Sequence, residues 1–586
     1  MKPTFLLRTF LKGFFPFFLL ILSANVSAVS LSGTYTVGSG STYTTLGAAI
    51  TDINTNGVEG PVILQITSDL PNETQVMLAT STTTAVNTIT IKPASGVSPT
   101  ITFSNCLQYT DWTKINAGAG FALNATSFVT IDGSNINGGT TKDMTMKLAD
   151  ATNGRFVILS YGNSDDVTIK NLIVSYASPM FINTVGYQTR GIYLMQGAAA
   201  SDNFTLQNCT VGDVTMAPFF AIYVAGAGAT VETGSATNLK ITGNTLYSKV
   251  RAISMQSVGG GTNPTEISNN NLYVIDGGVA TNTDVAAINY NFWLGILNIF
   301  NNKIPALTTA NTGTFKISGI YSGSAQANAV ANIYNNFIGG TVGCSAAGVA
   351  AQGQLINSTD PSTTTLNIYH NTIVFPVATN VAERTCIYFT DATVKLKNNI
   401  IINRNDLSTA YCINVSSANT ITSDYNDFYT TGAGSVCNGL QTLSAWQAIA
   451  TGLDANSTFA DVTFVDIATG DLRIASASYQ AINLKVARMT EVSTDIFGTT
   501  RPADTYKGAH HALDFTSGIT NPQETAHIMR TVSGVEVILD NQSTVELYNI
   551  NGMLIDKKIA IGTYNHKLNT GVYIIKTNGK TTKFVK

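Results

Sequence analysis

The chain has 586 residues, of which 32 are Lys or Arg and 35 are Asp or Glu, a charged fraction of 11% and a net charge of −3. Charge this sparse excludes a coiled coil, an acidic disordered chain and a basic nucleic-acid-binding surface. Hydrophobic residues make up 44% of the chain and Gly supplies 50 positions, with Asn comparably abundant, which is the composition of a turn-rich β protein.

In chain order, basic Lys2, Arg8 and Lys12 precede an apolar run from Phe14 to Leu22 and the small-residue exit Val26-Ser27-Ala28. This three-part layout predicts a signal peptide over 1–28, because the run is about half of the roughly 20 residues that a bilayer requires. No later segment reads as a transmembrane span, so the mature chain is expected outside the cytoplasm, secreted or attached at the outer-membrane surface. Leu46, Ala49, Ile50 and Ile53 then recur at helical spacing and predict a short amphipathic cap. The six cysteines include no Cys-x-x-Cys pair, so neither a disulfide scaffold nor a zinc site is expected. Cys386 and Cys412 are expected to stack as free thiols.

From Ile169 onward one phrase returns eight times. It starts at Ile169, Leu206, Ile241, Ile267, Ile299, Ile333, Ile368 and Leu396, with forms such as Ile299-Phe-Asn-Asn-Lys-Ile304. A second phrase alternates with it, centred on Ile192, Ile222, Ile253, Ile288, Ile320, Val349, Ile387 and Ile413. Two short strands per irregular period describe a solenoid, whose corner loops lengthen without disturbing stacked strands. Asn244, Asn270, Asn302, Asn336, Asn371 and Asn399 share one place in the phrase. Asparagine tolerates the left-handed backbone of a tight corner, and its amide bonds to neighbouring groups, so stacked coils predict an Asn ladder. The expected fold is all-β: a right-handed parallel β-helix over 29–514, its hand taken from the general preference for right-handed crossovers.

Two stretches carry a family resemblance. Gly33-Thr-Tyr-Thr-Val37, Tyr43-Thr-Thr-Leu46, Gly60-Pro-Val-Ile-Leu64 and Asn72-Glu-Thr74 resemble the opening of pectin-lyase-like β-helix proteins. Ser423-Asp-Tyr-Asn-Asp-Phe-Tyr429, Leu443-Ser-Ala-Trp446, Asp454-Ala-Asn456, Phe464-Val-Asp466, Asp495-Ile-Phe-Gly498, Arg501-Pro502 and Gly508-Ala509 resemble the closing coils of secreted bacterial members.

Beyond about residue 515 the phrase disappears. Val535–Leu539, Val545–Ile555 and Thr570-Gly-Val-Tyr-Ile-Ile-Lys576, with Asn551-Gly552 and Asn578-Gly579 as hairpin signals, predict a small β-sandwich over 515–586. The segment resembles the carboxy-terminal (Por) sorting domain of type IX secretion cargo in Bacteroidetes, although the Pro-Asn-Pro opening is reduced to Asn521-Pro522. That resemblance implies the type IX machinery as a partner and release or surface attachment as the outcome.

Site candidates are few. Asp165-Asp166 is the only adjacent aspartate pair, a candidate for paired-carboxylate hydrolysis, but it sits in a turn where such side chains ordinarily cap backbone groups. The Gly-His-Gly and Arg-Ile-Lys segments of polygalacturonase-like enzymes are missing. Arg190 and Arg251 occupy corresponding places two coils apart and are candidates for lyase chemistry, in which calcium would be the cofactor. No acidic cluster of calcium-binding spacing accompanies them, and otherwise no cofactor or metal is expected. Phe300, Tyr334 and Tyr369 each follow an inward residue and so point outward in consecutive coils, as do Tyr193, Tyr223, Tyr321 and Tyr388 on the other face, there interrupted by Ser254, Asn289 and Ala350. Such aromatics suit a polysaccharide ligand. The expected function is a secreted or cell-surface carbohydrate-binding protein or adhesin; the alternative is a polysaccharide lyase or glycoside hydrolase.

Overall fold

The computed structural model describes residues 29–585 except 107–117, 180–187, 196–200, 226–235, 276–279, 416–420, 479–481, 513–526, 531–533 and 578–579. The expected signal peptide lies outside the described residues. The chain divides into two compact units, Met1–Leu513 and Asp514–Lys586.

In the first unit each coil contributes one strand to each of three parallel sheets of 13, 12 and 13 strands, which is a right-handed parallel β-helix. The repeated phrase proves to hold two strands. In its first copy Thr168–Lys170 belongs to the first sheet and Leu172–Tyr176 to the third, separated by the single residue Asn171. The second phrase forms the 12-stranded second sheet. Ile169, Leu206, Ile241, Ile267, Ile299, Ile333, Ile368 and Leu396 pair in register, each over the next. All are essentially inaccessible, and each buried Leu or Ile contributes roughly 1.5–3 kcal/mol of hydrophobic stabilisation. On the second sheet one expected centre is corrected: Ile356, not Val349, lies between Ile320 and Ile387. The outward position in that coil is therefore Asn357 rather than Ala350.

The corner divides between two neighbouring residues the two tasks expected of one asparagine. The left-handed residue is the one before the ladder: Asn269, Asn301, Asn335, His370 and Asn398 have φ between 50° and 60°. The next residue turns its amide inward. Asn244, Asn270, Asn302, Asn336, Asn371 and Asn399 each donate Nδ2 to the next rung's Oδ1 at 2.9–3.2 Å. The same oxygen accepts the backbone N–H of the rung before it, as where Asn302 N donates to Asn336 Oδ1 at 3.0 Å. Asn426 is a seventh rung and donates to Asp454 Oδ1 at 3.2 Å. Because the interior offers no water, an amide left without these partners costs roughly 1–3 kcal/mol, so the ladder enforces the coil register as well as stabilising it.

Both ends of the stack are covered. Helix Leu46–Asn56 buries Leu46, Ala49, Ile50 and Ile53, and Thr45 accepts Ala48 N–H as its N-cap. The buried Glu73 carboxylate takes Leu46 N–H at 2.7 Å and Gly47 N–H at 3.0 Å, satisfying donors that a helix start leaves free. At the far end helix Leu443–Gln447 buries Trp446, whose Nε1 donates to Asp454 Oδ2 at 2.7 Å.

The segment expected to form closing coils does so only as far as Thr458–Phe459. The chain then doubles back as antiparallel pairs, Phe464–Asp466 with Asp471–Ile474 and Lys485–Ala487 with Asp504–Tyr506. The reason lies in the third sheet, whose residues Phe337, Val374, Ile400 and Ile402 form a second apolar cluster with Val462, Leu472, Leu484, Ile496 and Tyr506 of this outer layer. Arg501 pins the layer. It is fully buried, and it donates to the carbonyls of Thr494, Tyr506, Gly508 and Ala509, to Thr505 Oγ1 and to Asn335 Oδ1, all within 3.3 Å.

The six cysteines are buried. The register sets Cys386 beside Cys412, their thiols donating to the carbonyls of Ile402 and Ile401, and burial pushes both thiols well above their ordinary pKa.

The second unit is an antiparallel sheet of five strands built on the long hairpin Gly534–Asn549 and Leu554–Lys567. It buries Val535, Val537, Leu539, Val545, Leu547, Tyr564, Ile575 and Phe584 in one cluster. Asn551-Gly552 makes the expected turn, with Gly552 at φ 77°, whereas Asn578-Gly579 lies outside the described residues.

Candidate functional site

Asp165 and Asp166 form an intercoil turn. Asp165 Oδ1 accepts Asp202 N–H at 2.8 Å and Asp166 Oδ1 accepts Asn203 Nδ2 at 3.0 Å. Asp166 has φ 54°. Burial, then the nearby Asp165 and Asp166, raises the Asp202 carboxyl above its ordinary pKa. These oxygens tie coil to coil. Among the described residues no group of three or more His, Cys, Asp or Glu side chains is arranged to hold a metal ion.

Phe300, Tyr334 and Tyr369 do form an outward register column on the first sheet. The rings of Phe300 and Tyr334, however, lie 4.9 Å apart with an interplanar angle of 2°. Each thus covers the other's face, and a sugar ring cannot insert between them. Beside this column the amides of Asn298, Asn332 and Asn367 form an outer ladder with 2.8 Å bonds. Between these two rings the column presents ring edges sideways, and Tyr369 continues it in the next coil.

An aromatic face beside a cavity occurs on the third sheet. Tyr247 and Tyr273 stack 4.6 Å apart at 9°, but the register neighbour on the far side of Tyr273 is Ala306, whose methyl is too short to cover a ring. A cavity of about 290 Å³ opens there, with Tyr273, Lys303 and Pro305 on the solenoid side and Asp471, Arg473 and Phe497 on the outer layer. Arg473 Nε bonds both oxygens of Asp471, at 2.9 and 3.1 Å, and its Nη2 adds a third bond at 2.6 Å. Burial works against ionisation of Asp471, but the bonds and charge of Arg473 outweigh it and hold the carboxyl below its ordinary pKa. Lys303 Nζ sits 4.6 Å from the Phe497 ring centroid, and burial pulls its pKa down against the opposing charge of Asp471. The arrangement is an apolar ring face bordered by one acceptor group and two donor groups, in a cavity near the lower size limit of ligand sites.

Part of this was legible. Tyr247 and Tyr273 each follow the last apolar residue of a phrase, in consecutive coils. The opposite wall was not legible, since Asp471, Arg473 and Phe497 lie some two hundred residues further on and nothing periodic marks them. Arg190 and Arg251 occupy the second sheet, on a different face.

No protein-family model matches the chain, and no curated protein matches it. Among solved structures it resembles XylC in complex with xylose, with 10% identity and a TM-score of 0.43 over 82% of this chain and 98% of that one. It also resembles the Dettilon tailspike protein, with 11% identity and a TM-score of 0.31 over 64% of each chain. A lacto-N-biosidase of glycoside hydrolase family 136 from Eubacterium ramulus gives 10% identity and a TM-score of 0.32 over 73% of this chain and 67% of that one. The strand register within the chain, not these likenesses, defines the solenoid.

Proposed function

We propose that this is an exported β-helix protein that holds carbohydrate in the cleft between the third sheet and the outer layer, serving as a surface binding protein or adhesin. The observation that carries this reading is the uncovered face of Tyr273 beside the Asp471–Arg473 pair and Lys303. The C–H face of a pyranose is apolar and packs on an aromatic ring, while neighbouring hydroxyls each need an acceptor and a donor, which the carboxylate and the two cations supply. The export route fits the antiparallel second unit with its Gly571-Val572-Tyr573 strand and basic-apolar end Lys583-Phe-Val-Lys586, features that resemble type IX cargo.

The test is retention of the full chain on a panel of neutral and uronic polysaccharides. Tyr273→Ala should weaken retention about fivefold, the equivalent of an aromatic contact of about 1 kcal/mol, and Asp471→Ala should weaken it further. Retention that both variants leave unchanged would refute the cleft as the site. Reducing ends and unsaturated products, followed with and without calcium, would reveal turnover and replace binding by catalysis.

A further inference from the structure

The outward face of the second sheet carries an arrangement that carbohydrate stacking does not use. Phe156, Arg190, Phe220 and Arg251 stand in one register column, ring and cation alternating in four successive coils. The Arg190 guanidinium carbon lies 4.4 Å from the ring centroids of both Tyr193 and Tyr223, and 5.1 Å from that of Phe156. Aromatic faces thus cover the group, and Arg190 is only 5% exposed.

Its hydrogen bonding is nearly empty. Nη2 donates to Gln188 Oε1 at 3.3 Å, while Nε and Nη1 have no partner. Arg251, two coils on, donates Nη1 to Asn289 Oδ1 at 3.2 Å and also leaves Nε without a partner. Among the described residues neither arginine has a carboxylate within salt-bridge distance. A buried charge ordinarily has a counter-ion, because desolvation costs several kcal/mol that only an opposite charge or hydrogen bonds offset.

We propose that Arg190 seats a carboxylate, with Arg251 as a second, weaker seat roughly 10 Å along the sheet. The Tyr193 and Tyr223 rings, 5.2 Å apart, crowd one side of the Arg190 guanidinium, so a ligand is best met in its plane. A carboxylate is flat and meets the fork edge-on through parallel N–H bonds. A tetrahedral sulfate or phosphate held the same way would carry one oxygen out of that plane into these rings. The ligand is therefore a molecule bearing a planar carboxylate, either a free small acid or an acidic sugar. Further along this outward face Asn289 and Asn357 alternate with Tyr321 and Tyr388; both asparagines are buried, and Asn357 has both amide atoms without partners, as a ligand rich in hydroxyls would require.

The test is calorimetric titration of the full chain with acetate, glucuronate and sulfate at constant ionic strength set by chloride. Both carboxylates should bind and sulfate should bind at least tenfold more weakly. Glucuronate tighter than acetate marks an acidic sugar as the ligand; equal affinities mark the free acid. Arg190→Gln should weaken carboxylate binding at least tenfold, Arg190→Lys should weaken it too because an ammonium lacks the fork, and Arg251→Gln should have the smaller effect. Tyr273→Ala should leave it unchanged, which separates this site from the carbohydrate cleft. No heat with either carboxylate, sulfate binding as tight as acetate, or undiminished binding by a folded Arg190→Gln would each overturn the proposal.

Discussion

Two buried arginines in the same unit behave oppositely. Arg501 directs every guanidinium nitrogen at an acceptor, six in all, and most of those acceptors are backbone carbonyls of the outer layer it holds. Arg190 is almost as deeply buried, yet two of its three nitrogens have no partner and its close neighbours are aromatic rings. Burial alone therefore does not separate a structural arginine from a candidate site. The distinction lies in whether the donors are consumed by the fold, because a saturated group has nothing left to offer a ligand and an unsaturated one pays desolvation without return.

The widest effect follows from removing the saturated group. Arg501→Met should strip the donors from four carbonyls and Asn335 and detach the layer locally. Amide exchange across Phe464–Ala509 should then accelerate about a hundredfold, matching the roughly 3 kcal/mol or more lost when a buried charged network is broken. Exchange rates that stay within threefold would erase the contrast.

A second way to sharpen it uses acid. His510 in the outer layer accepts Ile474 N–H on Nδ1, which requires the neutral ring. Burial leads in lowering its pKa from 6.5 to about 4. The folded pKa lies below the unfolded one, so the unfolded chain binds the proton first. The stabilisation is thus complete above pH 6.5 and is lost as pH falls towards 4, by at most about 3 kcal/mol. Denaturation midpoints measured across this window should fall with pH, and His510→Gln should flatten the slope; an unchanged slope would count against the assignment.

The smallest effect belongs to Arg190→Met. An apolar chain of similar length keeps the contacts with Tyr193 and Tyr223 and gives up a single 3.3 Å hydrogen bond. Its melting midpoint should stay within the equivalent of about 1 kcal/mol of the parent, or rise. A large loss would mean that the fold consumes Arg190 after all.

The contrast also explains what could be read in advance. Inward columns and the Asn rungs recur at matching places, and recurrence is visible in one dimension. Val349 misled because the loop ahead of Ile356 shifts the phrase, and the pairing with Ile320 and Ile387 alone restores the register. Arg190 and Arg251 were singled out by position, but neither the stacking rings nor the unpartnered nitrogens have a sequence signal. The ring-on-ring closure of Phe300 and Tyr334 depends on side-chain angles that no spacing encodes.

Alternation, turn residues and the returning asparagine determined that this chain would wind into stacked coils, because hydrophobic burial and amide pairing in a parallel stack depend only on which residue type returns at which place. The tertiary structure alone decided where a ligand could enter. The outer layer reaches back across two hundred residues to wall off the Tyr273 cleft and to exhaust Arg501, while Arg190 keeps free donors. Those outcomes follow from which polar groups meet in space and which do not, and local sequence carries no record of such meetings.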